Sequence, residues 1–204
     1  MAEAESWSTI KKYGLLSTTA ILDLFEINGK TRSIIESQCR PESIELSHIK
    51  HGSVVIRDQK PLREATLAKL LDGMTTSEFY KLLNAKTFFW VRKERLEKLL
   101  KARAYRNSSH DVLTIDAKKL ILTYENKIWL SRINSGAAIF GVGRRGIDTF
   151  KRIRDYPYEE NRKKRKDDAV VELAIDYAVN DISKFTLRVD RWSKGKWIKT
   201  IWKR

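Results

Sequence analysis

The sequence is short of several things. It has one cysteine, Cys39, which excludes an internal disulfide framework and a cysteine-based zinc site. Three histidines, His48, His51 and His110, argue against a dedicated all-histidine metal site. Three prolines and nine glycines are too few for a collagen-like or linker-rich chain. No apolar run exceeds a few residues, so neither a transmembrane helix nor a membrane partner is expected. The opening Met1–Glu5 is acidic and has no apolar stretch of the signal-peptide kind, so a reducing cytoplasm is the expected setting.

What is present suits a folded protein. The 204 residues are 42% hydrophobic and 33% charged, enough for one domain with a sizeable core. We expect a single domain over residues 1–204 that ends in a basic, Trp-rich hairpin over 182–204. Lys and Arg total 41 against 26 acids, a net charge of +15. Such an excess points to an anionic partner, first of all nucleic acid.

The cations are unevenly spread. Residues 144–166 hold ten Lys/Arg against four acids and include the unbroken run Arg162, Lys163, Lys164, Arg165 and Lys166. Residues 182–204 hold eight against the single acid Asp190, interleaved with Trp192, Trp197 and Trp202. Lys and Arg neutralise phosphates, and indole faces stack on unpaired bases. On this reading Arg188, Arg191, Lys194, Lys196 and Lys199 extend the track begun by Arg162–Lys166. The competing reading is an amphipathic hairpin, with some Trp residues in the core and the cations on a solvated face.

The pattern predicts a helix from Trp7 to Tyr13 stopped by Gly14, then helices over 20–25 and 30–37. An irregular stretch is expected from Pro41 and a strand over 53–56. Helical spacing returns over 62–71, and Thr75 and Glu78 form a capping box ahead of Phe79–Leu83. Strands are expected over 87–91, 111–115, 127–131, 169–175, 186–192 and 196–202, with helices over 93–102 and 117–122. Helices thus fall mainly in the N-terminal half, around a mixed or antiparallel split sheet. That order is α+β.

Few segments carry recognisable chemistry. There is no G-x-S-x-G, no catalytic cysteine context and no P-loop. Gly141–Gly146 matches G-x-G-x-x-G in spelling, but it lacks the flanking strand and helix of a dinucleotide fingerprint and reads as a mobile connection. Glu172 is the unusual residue, an acid inside the apolar string Val170–Ile175. Simple alternation puts it on a solvated face. A carboxylate on a rigid strand at a cleft rim could instead polarise a hydroxyl or steady an oxocarbenium-like centre. Arg57 follows a buried-looking strand, and its planar guanidinium suits a phosphate. The plainer alternative is a surface turn paired with Asp58.

The order of these pieces resembles a known family. Trp7–Ser17 (WSTIKKYGLLS) looks like the "NLxxIxxxGLLS" opening of ADP-ribosyltransferase domains of the DarT type. Phe88–Arg92 (FFWVR) is similar to the family's aromatic strand, and Asn134–Ala138 (NSGAA) is loosely similar to its "TDxxA" segment. Glu172–Val179 (ELAIDYAV) is similar to the "EVLVxxxVP" strand that carries the catalytic glutamate. The resemblance spans residues 7–182. The chain looks closer still to a bacterial group of the same architecture that shares the strings RPESIEL, IRDQKPL and DYPYEE.

The resemblance implies an ADP-ribosyltransferase-like fold and an enzyme. It would split NAD, as a substrate, at the nicotinamide–ribose bond and transfer ADP-ribose to a base of DNA or RNA, as a bacterial toxin or anti-phage effector with a possible antitoxin partner. By position Glu172 is the catalytic glutamate, and Arg57 holds the NAD phosphates on a wall facing it. Gly14, Leu15 and Leu16 flank the nicotinamide-ribose pocket, with Trp90 and Arg92 near the cofactor. Neither metal nor cysteine is called for. In one respect the sequence departs from the pattern: the family's first strand, with its His or comparable polar residue, is not supplied by Met1–Glu5. A non-enzymatic nucleic-acid-binding protein on the same scaffold is the alternative.

Overall fold

The computed structural model describes residues 1–139 and 143–204. In chain order the strands and helices are β1 (Ala2–Glu3), α1 (Trp7–Tyr13), β2 (Leu15–Leu16), α2 (Thr18–Leu24), α3 (Gly29–Ser37), β3 (Ile44–His48), β4 (Gly52–Ile56) and α4 (Glu64–Leu70). There follow β5 (Leu71–Asp72), α5 (Thr76–Asn84), β6 (Lys86–Trp90), α6 (Lys93–Leu100), β7 (Ser109–Ile115), α7 (Ala117–Tyr124) and β8 (Ile128–Ser131). The chain closes with β9 (Arg145–Gly146), β10 (Lys151–Arg152), α8 (Tyr158–Lys164), β11 (Glu172–Asp176), β12 (Ala178–Val179), β13 (Thr186–Ser193) and β14 (Lys196–Lys203). The class is α+β, with helices concentrated before residue 101.

Two antiparallel four-stranded sheets form the frame, in the orders β1-β7-β13-β14 and β10-β8-β11-β6. Small pairs complete it: β2 with β12 and β3 with β4 run antiparallel, β5 with β9 parallel. Alternation along β11 explains the layering. Leu173 and Ile175 join Ile128, Leu130 and Phe89 in a core shared with Leu113 and Ile115 of the first sheet. Ala174 points the other way, into a second core with Phe79, Tyr80, Leu83 and Leu67 from α4 and α5. Both faces of β11 are therefore covered over Glu172–Ile175, and the acid that opens the strand is taken out of water.

Local chemistry sets the boundaries. Ser17 caps α2 by accepting from the Ala20 amide at 3.1 Å, and Thr75 and Glu78 close the expected capping box on α5. Gly14, at φ 91°, ends α1 against the backbone of Asn180, where an added Cβ would come within 2.5 Å of Asn180 Cα. The terminal hairpin turns through Lys194 (φ 51°) and Gly195 (φ 70°), two left-handed residues as a two-residue loop demands.

Three expectations need correction. The segment after Pro41 is not irregular, because Ile44–His48 pairs with Gly52–Ile56 in full register. A first strand does exist: Ala2 and Glu3 pair with Asp111 and His110 of β7. Two residues are too short to leave an alternation signal. The strand expected over 169–175 starts at Glu172, and Val171 serves instead to donate its amide to Ser131 O at 2.8 Å. The Gly141–Gly146 connection lies partly outside the described residues; its described end holds β9, followed by a short 3-10 turn.

Candidate functional site

Glu172 opens β11, directly across from Trp90 on β6 and Ser131 on β8. It is 5% exposed, not on a solvated face. One of its oxygens, Oε2, accepts two hydrogen bonds from Ser135, from the backbone amide at 3.0 Å and the hydroxyl at 2.7 Å. Burial pushes the carboxyl up to about 7; the two Ser135 bonds and the charges of Arg95 and Arg145 pull against that rise.

The loop that presents Ser135 is itself braced. Arg145 is buried and donates to the carbonyls of Gly143 at 2.7 Å, Asn134 at 3.3 Å and Ala137. One guanidinium thus ties the turn after β8 to β9 while contributing positive charge near Glu172. On the other side, Arg95 grips Asp168 in bidentate fashion, at 3.1 and 2.8 Å. Arg92 donates to Asp167 O at 2.9 Å and to Glu94 at 3.1 Å, so it lies at the same end of the sheet.

The other expected residues sit elsewhere. Arg57 donates to Glu3 at 2.7 Å and to His110 Nδ1 at 2.9 Å, with its guanidinium 5.1 Å from the Tyr105 ring centre. None of these groups touches Glu172, so the expected facing wall is not formed by Arg57. Because Arg57 can only donate, His110 Nδ1 accepts, and Nε2–H is left to donate to Tyr105 O at 3.3 Å. Burial, then the Arg57 charge, holds the His110 pKa below its usual value. Leu15 and Leu16 pair with Val179 and Ala178, and the Ser17 amide donates to Tyr177 O at 2.9 Å. They meet the strand beyond its C-terminal end, away from Glu172.

The basic residues divide. Arg162, Lys163, Lys164, Arg165 and Lys166 are exposed along and just past α8. Arg191 is not free for nucleic acid: it bridges the fully buried Asp111 and Glu5, each at 2.6 Å. Arg188 is exposed but pairs with Asp190 at 2.8 Å, while Lys194, Lys196 and Lys199 are exposed. Trp202 packs on Trp7 with ring centres 5.2 Å apart, and Trp192 is half-buried. Trp197 is 54% exposed, its indole N–H directed to Asp190 at 3.2 Å.

Sequence reasoning missed Ser135, Arg95, Arg145, Glu3 and His110. Asn134–Ala138 stood out only as a loosely similar string, and nothing in it foretold a bond to Glu172. A four-residue network was missed as well. Asp176 receives Lys86, Trp129 (2.8 Å) and Arg152 (3.3 Å), and Arg152 lies 3.6 Å above the Trp129 ring. Among the described residues no cluster of three metal-ligating side chains occurs, and no helix is long and apolar enough to cross a membrane.

The frame is thus an α+β protein with a buried, clamped glutamate beside a basic helix. A family of unknown function, DUF7002, matches residues 1–186, and the chain belongs to it. Neither the curated proteins nor the solved structures contain a match.

Proposed function

We propose that the protein is an NAD-dependent ADP-ribosyltransferase acting on a nucleic-acid base, with Glu172 as the reacting carboxylate. The observation that carries this reading is the setting of Glu172 itself. Of the other three segments that resemble the DarT type, two reach this carboxylate from far away in sequence, while the opening segment meets the chain past the far end of its strand. Trp90 stands across from Glu172, Ser135 binds it, and Gly14 and Leu15 contact Asn180 and Val179.

The chemistry fits a buried carboxylate. Breaking the nicotinamide–ribose bond leaves its electron pair on nicotinamide and positive charge on the sugar. A carboxylate held at fixed distance in a dry site stabilises that charge far more than one in water. The acceptor base then attacks the sugar carbon and sheds a proton to solvent. Ser135 keeps the carboxylate oriented throughout, so little reorganisation accompanies charge development. A place in toxin or anti-phage defence, with an antitoxin as a protein partner, belongs to the same proposal.

The test is incubation with labelled NAD and separate pools of DNA, RNA and protein, using wild type and Glu172→Gln. Label on DNA or RNA with wild type alone is the expected result. Label on no pool, from folded protein, overturns the enzyme reading. The second reading, nucleic-acid binding without chemistry, is favoured by the exposed cations of α8 and then stands alone.

A further inference from the structure

Two of the three histidines meet at the tip of the β3–β4 hairpin. The rings of His48 and His51 stack with centres 4.6 Å apart and planes 25° from parallel. This stack closes the tip onto the first two helices. His51 meets the Tyr13 ring, at the end of α1, in a T-shaped contact at 5.2 Å and 82°. Phe25, buried just past α2, lies 5.8 Å from His48 and 6.0 Å from His51. The Tyr13 hydroxyl donates to Lys50 O at 3.4 Å. The base of the hairpin is anchored separately, where Ile44, Leu46 and Ile56 pack with Leu22 and Ile35. Tip and base can therefore part company, the one held by imidazoles and the other by aliphatic packing.

Each ring has its Nδ1 where a proton is unwelcome. His48 Nδ1 accepts the Lys50 amide at 3.2 Å, so the ring hydrogen sits on Nε2. A proton added at that Nδ1 would face another N–H and break the bond that shapes the turn. His51 Nδ1 is buried and has no partner among the described residues. A proton added there would carry charge to a place where no acceptor meets it. The surroundings act the same way. Lys12 of α1, its ammonium 4.7 Å from the Tyr13 ring centre, and Lys50 in the turn both oppose a further cation, while Glu26 after α2 pulls the other way. Burial, then His48 and these two lysines, holds the His51 pKa below its usual value. We propose that the His48–His51 pair is a proton-released latch: neutral imidazoles pin the hairpin tip to α1, and protonation lifts residues 48–52 off Tyr13 and Phe25 while the hairpin base stays in place. Acid would then free the last turn of α1, the helix that Gly14 ends against Asn180. The latch stands on the ring contacts alone and is independent of the transferase reading.

NMR spectra of the whole chain, taken as pH falls from about 8 to about 4.5, test the latch through the range where imidazoles titrate. We expect the Tyr13–His51 ring contact and the native shift of the Lys50 amide to be lost in one step, below the ordinary imidazole value of about 6.5. The resonances of Ile44 and Ile56 should hold still through that step. His51→Phe keeps an aromatic ring against Tyr13 and cannot take a proton. His48→Asn keeps an acceptor for the Lys50 amide and cannot take one either. The double variant should hold its tip docked to the bottom of the range. In wild type, a Tyr13–His51 contact that survives the titration of both imidazoles overturns the latch, a result that needs no variant to fold. The same step persisting in the folded double variant also overturns it, by giving the step to another group.

Discussion

Ser135 places its amide and its hydroxyl on the same oxygen of Glu172, at 3.0 and 2.7 Å, across 37 residues of chain. Both bonds favour the ionised carboxylate, while burial favours the protonated one, and burial is the larger. The result is a carboxyl that titrates near neutrality, where a group can change its role with pH.

That balance fixes a pH profile. Transfer needs the ionised form, so activity should climb as pH rises through about 7. Removing the Ser135 hydroxyl takes away one bond to the ionised form. Ser135→Ala should therefore displace the rise to higher pH as well as lower the rate. Rates measured from pH 5 to 9 check this; an unmoved profile would sever Ser135 from the chemistry.

The same carboxyl burdens the fold at high pH. Its native pKa lies above its unfolded value, so between about 4.5 and 7 the unfolded chain releases a proton that the native one keeps. Stability from this group is complete below that window and falls as pH rises through it. Glu172→Gln keeps the shape and removes the ionisation. It should abolish transfer yet gain stability on the order of 3 kcal/mol at pH 8 over its effect at pH 4. Paired urea melts at the two values read the difference. Equal effects at both would mean that Glu172 does not titrate where its burial puts it.

Arg57 carries a different burden. Arg57→Ala leaves the His110 Nδ1 and Glu3 without their donor and should cost about 2–3 kcal/mol. The Arg57 charge helps depress the His110 pKa, so the variant should titrate His110 at higher pH, a shift visible by NMR. A His110 titration that does not move would break the link.

Gly146 stands where β9 meets β5. Its φ is 146°, and a Cβ there would fall 2.0 Å from the Asp72 carbonyl oxygen. Gly146→Ala should cost about 3 kcal/mol or more, because the obstacle is backbone. Gly29, at φ 64° with open space around it, isolates the strain of a left-handed alanine, about 1 kcal/mol. Thermal melts that rank the two variants equally would remove the clash from the account.

Nucleic-acid binding should weaken steeply with salt, by about 0.7 in log affinity per log unit for each single-strand phosphate contacted. Reversing Lys163, Lys164 and Lys166 to Glu should flatten that slope and weaken all sequences alike. The tail tryptophans now separate. Trp197→Ala should lower single-strand affinity by about 1–3 kcal/mol with folding intact. Trp202→Ala should cost stability through its contact with Trp7. Binding indifferent to salt and to charge reversal would dismiss the nucleic-acid reading.

Much of the fold was legible because its long elements carry their own periodicity. The helix at 7–13, the capping box at Thr75 and the hairpin through Lys194–Gly195 follow from local chemistry. Two-residue strands such as Ala2–Glu3 and Leu15–Leu16 do not, since pairing over so short a span is decided by the partner strand. Glu172 stood out by type, but its clamping depends on Ser135 and on the charges of Arg95 and Arg145, which no window around residue 172 contains. Ser135 and Arg145 were hidden for the same reason: their significance lies in loops brought together from 134–137 and 143–146. The Arg191 charge misled, because its partner Asp111 lies 80 residues away.

The family match ends at residue 186, just as β13 begins, yet β13 lies between β7 and β14. A chain cut at that point would turn β7 into an open border. Asp111 would be stripped of its counter-ion, Trp7 of the indole that shields it, and a row of amides and carbonyls bared to any passing strand. The last eighteen residues therefore act as a seal, and proteolysis within the hairpin should be followed by precipitation rather than by release of a shorter, working protein.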